Sequence, residues 1–233
     1  MVDQFLIQRR VARGMAKAAQ KVGAPAQIMR PTALAAPLTT ESRCLMADFS
    51  ASPDYAFRAP PLWDKPTTWA LMDTDDVRSG DIIVAATGTY FVSRFEPWRP
   101  VSCVLTNSVV SLTETAMSGS GVTTDDGSLT TGICTVAGLQ DPYGTSSSNT
   151  SGDTTSATDW PAYISQPKAG VMPQSGTSGA VKAAAYGLLL PLMPNYLPRP
   201  YMQVTDAHGI SYTIFGVTTS QYGSECLMTV NQA

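Results

Sequence analysis

Charge, histidine and long apolar runs are all scarce in this chain, and each scarcity closes off a class of function. Only 14% of its 233 residues are charged, and there is one histidine, His208. A zinc site needs several His or Cys ligands and a catalytic triad needs a base held between two partners. His208 lies instead in the turn-like run Asp206-Ala207-His208-Gly209. The four cysteines, Cys44, Cys103, Cys134 and Cys226, form no Cys-x-x-Cys pair, so neither a metal cluster nor a disulfide framework is expected. Cys103 and Cys226 sit among Val and Leu and read as small buried apolar residues, with a Cys103–Cys226 bond as the alternative. No apolar run reaches the roughly 18 residues of a membrane span. The greasiest stretch, Ala183–Met193, is interrupted by Gly187 and Pro191. A Gly-x-Ser-x-Gly elbow, a phosphate-binding Gly-x-x-x-x-Gly-Lys-Ser/Thr and a Gly-x-Gly-x-x-Gly turn are all missing. The reading is of a chain with no catalytic constellation, no metal and no cofactor, and of a protein that is not an enzyme.

What is present is a core's worth of apolar residues, 43%, with abundant Thr, Ser, Gly and Pro. Low charge on a β-rich surface fits surfaces that neighbours cover, so an oligomer is expected. The net charge of −3 hides an asymmetry. Residues 1–30 carry Arg9, Arg10, Arg13, Lys17, Lys21 and Arg30 against Asp3 alone, so this segment is +5 and the remainder −8.

The spacing predicts a helix over Gln4–Val22, with Phe5, Val11, Ala12, Met15, Ala16, Ala19 and Val22 at helical intervals. Gly23 and Pro25 end it. Arg9, Arg13, Lys17 and Lys21 fall four apart and form a basic stripe. Such a stripe either faces water or meets an acidic partner. An Arg-rich, acid-poor amphipathic N-terminus also has the composition of an organelle transit peptide, the weaker expectation.

One hairpin is written twice, at Asp81–Val92 and at Tyr201–Ile214. Each copy runs from a Val strand through a Gly turn to a Tyr-led strand: Val84, Gly88, Tyr90 and then Val204, Gly209, Tyr212. A strand bearing a Cys follows each copy, Cys103 and Cys226. Favoured hairpin turns need φ > 0, which Gly supplies. The expected fold is mainly β: an N-terminal α-helix, then two small β-barrel-like modules of the SH3 or OB type with a long Ser/Thr-rich loop. The expected divisions are a basic helix at 1–23, an extended arm at 24–66, a first β-barrel module at 67–114, a Ser/Thr/Gly-rich loop at 115–157 and a second β module at 158–233. In the first module strands are expected at Thr67–Met72, Asp81–Ala85, Thr89–Phe95, Val101–Leu105 and Val109–Thr113. In the second, order restarts at Trp160–Ile164. Ala180–Leu190 reads as a short helix or a buried strand, and Tyr201–Val204, Ser211–Val217 and Cys226–Val230 close the module. Gly132–Ala137 reads as one short strand within the loop. Asn149-Thr150-Ser151 matches the glycosylation sequon, read as chance.

The arm's aromatics, Phe49, Tyr55, Phe57 and Trp63, are each costly to leave in water, by about 1.5–3 kcal/mol. They are expected to pack on their own barrel or on a neighbouring subunit. With Arg9, Arg10, Arg13, Lys17 and Lys21 they make up the candidate docking interface. Asp73, Asp75 and Asp76, then Asp125 and Asp126, read as solvated turns. For a glycan-cleaving hydrolase the best carboxylate pair is Asp73 with Glu96. Residues 67–114 carry Arg78, Arg94 and Arg99 against Asp73, Asp75, Asp76, Asp81, Glu96 and Glu114, a net −3, which opposes a phosphate-tracking groove.

Three stretches carry a family resemblance: Gly80-Asp81-Ile82-Ile83, Gly88-Thr89-Tyr90-Phe91-Val92 and Pro100-Val101-Ser102-Cys103-Val104-Leu105-Thr106-Asn107. They resemble structural proteins that form the neck, or head–tail connection, of tailed bacteriophages. Val204–Tyr212, with its Asp-x-x-Gly turn before an aromatic-led strand, and the Arg-rich helix ending in Val22-Gly23-Ala24-Pro25 resemble further patterns of the same proteins. The resemblance covers roughly residues 1–35, 67–114 and 158–233. It implies a virion protein, assembled in the bacterial host cytoplasm, that forms a homo-oligomeric ring. That ring would contact a portal or adaptor and tail proteins and let DNA pass without sequence-specific binding, with no membrane partner. Another tail, baseplate or capsid-decorating component of the virion is the alternative, and a cell-wall-acting hydrolase the more distant one.

Overall fold

The computed structural model describes residues 3–39, 41–50, 66–96, 99–114, 154–165 and 185–231. Among the described residues a helix, α1 (Gln4–Val22), precedes twelve strands. The first six are β1 (Ala24–Met29), β2 (Glu41–Ser50), β3 (Thr67–Met72), β4 (Ile82–Ala85), β5 (Gly88–Arg94) and β6 (Val101–Leu105). The second six are β7 (Ser108–Glu114), β8 (Thr154–Ser165), β9 (Ala185–Leu190), β10 (Gln203–Asp206), β11 (Ser211–Ser220) and β12 (Gly223–Val230). Each set closes into an antiparallel barrel, ordered β1-β2-β3-β6-β5-β4 and, read in the same sense, β7-β8-β9-β12-β11-β10. Closure leaves no strand edge for another chain to extend.

The mainly β fold with one leading helix and two barrels is as expected, but the divisions move. Residues 24–66 are not all an arm: β1 and β2 supply two staves of the first barrel. Their inward side chains include Ala26 and Ala47, too small to give the alternation by which a strand is recognised. Ser108–Glu114, expected in the first module, belongs to the second barrel, and Thr106-Asn107 is the joint. The Asn107 side chain donates to the carbonyl of Ile164 and accepts from its N–H at 2.7 and 2.8 Å. β8 begins at Thr154, inside the expected loop. Ala185–Leu190 is a strand, since Leu188 and Leu190 face the interior while the alternate Gly187 and Leu189 are only half-buried. The expected strand at 132–137 and the sequon at 149–151 lie outside the described residues.

The two barrels match residue for residue. Tyr90 pairs with Ile83 in the first hairpin and Tyr212 with Val204 in the second, so Val204 is the counterpart of Ile83 and not of Val84. Extending that register aligns Ile28 with Leu112, both opposite these residues, and Val92 with Ile214, Val101 with Cys226 and Cys103 with Met228. The irregularities coincide as well. β5 bulges between Val92 and Arg94 and β11 between their counterparts Ile214 and Gly216. β1 bulges after Ile28 and β7 after Leu112. Bulges bend and twist a strand at one place, so shared bulges mean shared barrel curvature.

Each barrel is filled. The first encloses Ile28, Leu45, Met72, Ile83, Val92 and Cys103 among others. The second encloses Trp160, Leu112, Leu188, Ile214 and Met228, and its cluster continues outward into Met29, Ile82, Phe91 and Val104 of the first. Those four residues lie on the outside of β1, β4, β5 and β6 and are buried between the barrels.

Candidate docking surfaces

Helix α1 forms because its sequence is Ala-rich and free of Pro, and because Asp3 caps it by accepting a 3.1 Å hydrogen bond from the Phe5 N–H. It stops at Gly23, whose N–H donates to the Ala19 carbonyl. A Cβ at Gly23 would lie 2.4 Å from that oxygen and 3.0 Å from the Ala47 backbone, so only glycine lets the helix turn straight into β1. The helix rests on the outer face of β2 and β3. Ala12, Met15 and Ala16 are half-buried there and Ala19 is fully buried.

The N-terminal turns reach past that seat. Phe5, Leu6, Ile7 and Val11 are 79%, 53%, 50% and 40% exposed. Arg9, Arg10, Arg13, Lys17 and Lys21 are all exposed; at 100° per residue Arg10, Arg13, Lys17 and Lys21 fall on the side away from Ala19, and Arg9 falls at its edge, next to Ala16. No carboxylate among the described residues pairs with any of them. The structure therefore groups the five sequence-predicted cations on one open face.

Of the predicted aromatics, Phe49 does not join them. Phe49, on β2, stacks on Tyr90 with ring centroids 3.8 Å apart and planes 5° from parallel, closing one end of its own barrel. Tyr90 donates from its hydroxyl to Thr87 of its own turn at 3.0 Å. Tyr212 does likewise to Asp206 at 3.3 Å and takes Tyr186 edge-on. Burial, then the charge of Asp206 and the hydrogen bond to it, holds the Tyr212 phenol above its usual pKa. Tyr55, Phe57 and Trp63 lie outside the described residues.

The acidic residues are committed to local structure. Asp73 accepts from the Met46 N–H at 3.0 Å, and Glu96 pairs with Arg94 and with Arg99, so each carboxylate of the nominated pair has its own partners. Asp206 accepts from the N–H groups of His208 and Ile210 at 2.8 and 2.9 Å, which makes His208 the exposed turn residue expected. Asp125 and Asp126 are outside the described residues.

An ion pair not anticipated from sequence links Arg30, after β1, to Asp81, before β4. The guanidinium forks onto both carboxylate oxygens at 2.9 Å, and the buried Asp81 also accepts from the Arg78 N–H at 2.8 Å. The fork to Asp81, with help from Asp76, raises the Arg30 pKa further above its ordinary value. Gly80 beside it has φ +93°, and a Cβ there would meet the Leu192 carbonyl at 2.5 Å.

Between the barrels lies a cleft of about 360 Å³ lined by Phe91, Val104, Leu189, Tyr222 and Glu225 among others. Arg94 of β5 reaches over the Tyr222 ring at 5.5 Å. The inter-barrel face also escaped the sequence reading. Its signal was the uninterrupted apolar runs Ile82-Ile83 and Tyr90-Phe91-Val92, which mark strands buried on both faces. Cys103 and Cys226 are unbonded, each inside a different barrel; Cys134 lies outside the described residues. Comparison of the chain with protein-family models, curated proteins and solved structures finds no match.

Proposed function

We propose that the chain is a non-enzymatic structural protein of a tailed-bacteriophage virion, forming a ring in the head–tail connection. It would dock there on portal or adaptor and on tail proteins around the DNA channel. The observation that carries this reading is the open cationic face of α1, held on a rigid barrel and without a carboxylate partner among the described residues. Basic helices of this kind suit a preformed acidic groove, and complementary charge speeds and orients such docking. Two closed barrels with filled interiors offer broad outer surfaces for docking, which favours assembly over turnover.

Reversing Arg9, Arg13, Lys17 and Lys21 to Glu tests the reading, because all four are exposed and the barrels do not depend on them. The expected result is a folded protein that no longer enters particles, measured by mass spectrometry of purified virions. Normal incorporation of the variant, or absence of the wild-type chain from every particle, would sink the proposal.

A further inference from the structure

The contact between the two barrels joins unlike faces of like objects, and such a contact can repeat from copy to copy. Barrel 1 (β1–β6) gives the outer face of β1, β4, β5 and β6, through Met29, Ile82, Phe91 and Val104. Barrel 2 (β7–β12) receives it on its β8–β9 side, where β5 meets β8 and Leu189 lines the cleft with Phe91. By strand order the giving face recurs on barrel 2 at β7, β10, β11 and β12, and the receiving face recurs on barrel 1 at β2 and β3. Both recurrences are altered.

The second giving face lacks the apolar side chains of the first. By the shared register Thr113, Gln203, Thr213 and Thr229 stand where barrel 1 has Met29, Ile82, Phe91 and Val104. The turn before β10 departs further. Gly80 donates its N–H to the Val92 carbonyl at 2.9 Å, and its counterpart Tyr201 donates to the Ile214 carbonyl at 2.7 Å. Both residues take positive φ, +93° and +71°. Gly80 suits that conformation, and having no Cβ it lets the Leu192 carbonyl, just past β9, approach to where a Cβ would lie 2.5 Å from it. Tyr201 is strained by the same conformation and is 73% exposed. A ring at this place denies a further barrel the close approach that Leu192 makes to Gly80.

The second receiving face is occupied. Helix α1 lies on β2 and β3. Met46, Trp69 and Leu71, which alternate with the buried Leu45, Ala47, Ala70 and Met72, are half-buried. Leu71 is the counterpart of Leu189, but Trp69 stands where barrel 2 has Gly187, so the surface differs where the helix takes the place of a barrel.

We propose that the chain is built as a closed pair: α1 caps barrel 1, and Tyr201 with the polar face beside it caps barrel 2, so that copies do not stack barrel on barrel. Repeat arrays end in caps with polar outer faces for the same reason. An apolar patch restored opposite a fitting surface would give an open-ended contact. The inference goes beyond the virion reading and holds whether or not the chain enters particles; the ring proposed above uses other contacts.

Two variants of the full chain, each given its counterpart's side chains, test this by native mass spectrometry beside the wild type. The giving variant carries Tyr201→Gly, Gln203→Ile, Thr213→Phe and Thr229→Val. The receiving variant carries Trp69→Gly and Ala19→Arg, the latter placing a charge under α1 to release it. Circular dichroism checks that both fold; should the giving variant not, Tyr201→Gly with Thr213→Phe replaces it. Each variant alone should match the wild-type mass, since one cap remains. An equimolar mixture should join the two one to one, at twice that mass, and a chain carrying both sets should give an open-ended ladder of masses. Either variant stacking alone, or a mixture and a combined chain that both keep the wild-type mass, would overturn the inference. Tyr201→Gly by itself should raise the thermal midpoint, since glycine relieves the left-handed strain. An unchanged or lower midpoint would overturn the role given to Tyr201.

Discussion

Cys103 and Cys226 are both inaccessible to solvent, one in each barrel, and burial keeps both thiols protonated. Burial alone raises the pKa of Cys103; for Cys226, burial and then the neighbouring Glu225 charge push it up to about 12. In the unfolded chain a thiol ionises near pH 8.5. The folded state thus holds protons that the unfolded state releases, and stability must fall as pH rises. The contribution is fully present below about pH 8.5 and declines from there upward, by roughly 1 kcal/mol per pH unit for each thiol. Urea midpoints at pH 7.5, 9 and 10 should show this decline. It should be shallower in a Cys103→Ala, Cys226→Val chain, Val being what barrel 1 carries at the counterpart Val101. Equal slopes in the two proteins would refute the burial account. The role of these cysteines as buried apolar residues was legible from their Val and Leu neighbours. The Arg30–Asp81 fork was not, because 51 residues separate its members and nothing local marks either as paired.

Among the elements, those with strong periodicity were read to the residue and those built from small side chains were not. The helix Gln4–Val22 and the strands Thr67–Met72 and Val101–Leu105 have the bounds their patterns predict. β1 and β2 read as an arm because Pro25 and the single alanines Ala24, Ala26 and Ala47 mute the alternation, and only barrel closure shows Ala26 and Ala47 facing inward. The same small residues make α1 a weakly held element, since Ala19 is its one fully buried residue. A charge at position 19 should release it. Ala19→Arg places a guanidinium against the β2–β3 face with no partner there, an unfavourable burial of charge. Hydrogen exchange should then lose protection over residues 4–22 while β5 and β11 amides keep theirs. Barrel amides that lose protection in step with the helix would show α1 to be integral to barrel 1, which would count against its use as a docking arm.

On the scale of the whole molecule, the two barrels share one set of interior rules and differ in a single outer face. Tyr90 and Tyr212, Ile83 and Val204, and Ile28 and Leu112 fill equivalent places, so duplication was visible in sequence at the hairpin tyrosine, and the one-residue-longer second turn hid the exact register. Which copy would bury its outer face was harder to see, because it turns on alternate residues whose partners lie in the other barrel. Phe91 and Thr213 are the sharpest comparison, occupying one position in two copies, buried in one and half-buried in the other. Phe91 is 2% exposed in the cluster that joins the barrels, so truncating it removes core shared by both. At a concentration where the chain is monomeric, Phe91→Ala should cost about 3–5 kcal/mol. It should also split one cooperative unfolding transition into two, followed by calorimetry and by Trp fluorescence together. Thr213→Ala, at the same position on barrel 2, removes a half-buried side chain whose hydroxyl donates to Asn231 and should cost no more than about 1 kcal/mol. If the two substitutions cost the same, the two faces contribute equally and Phe91 is not what joins the barrels. If Phe91→Ala alone separates the barrels, the outer face of β1, β4, β5 and β6 is what makes them one cooperative unit.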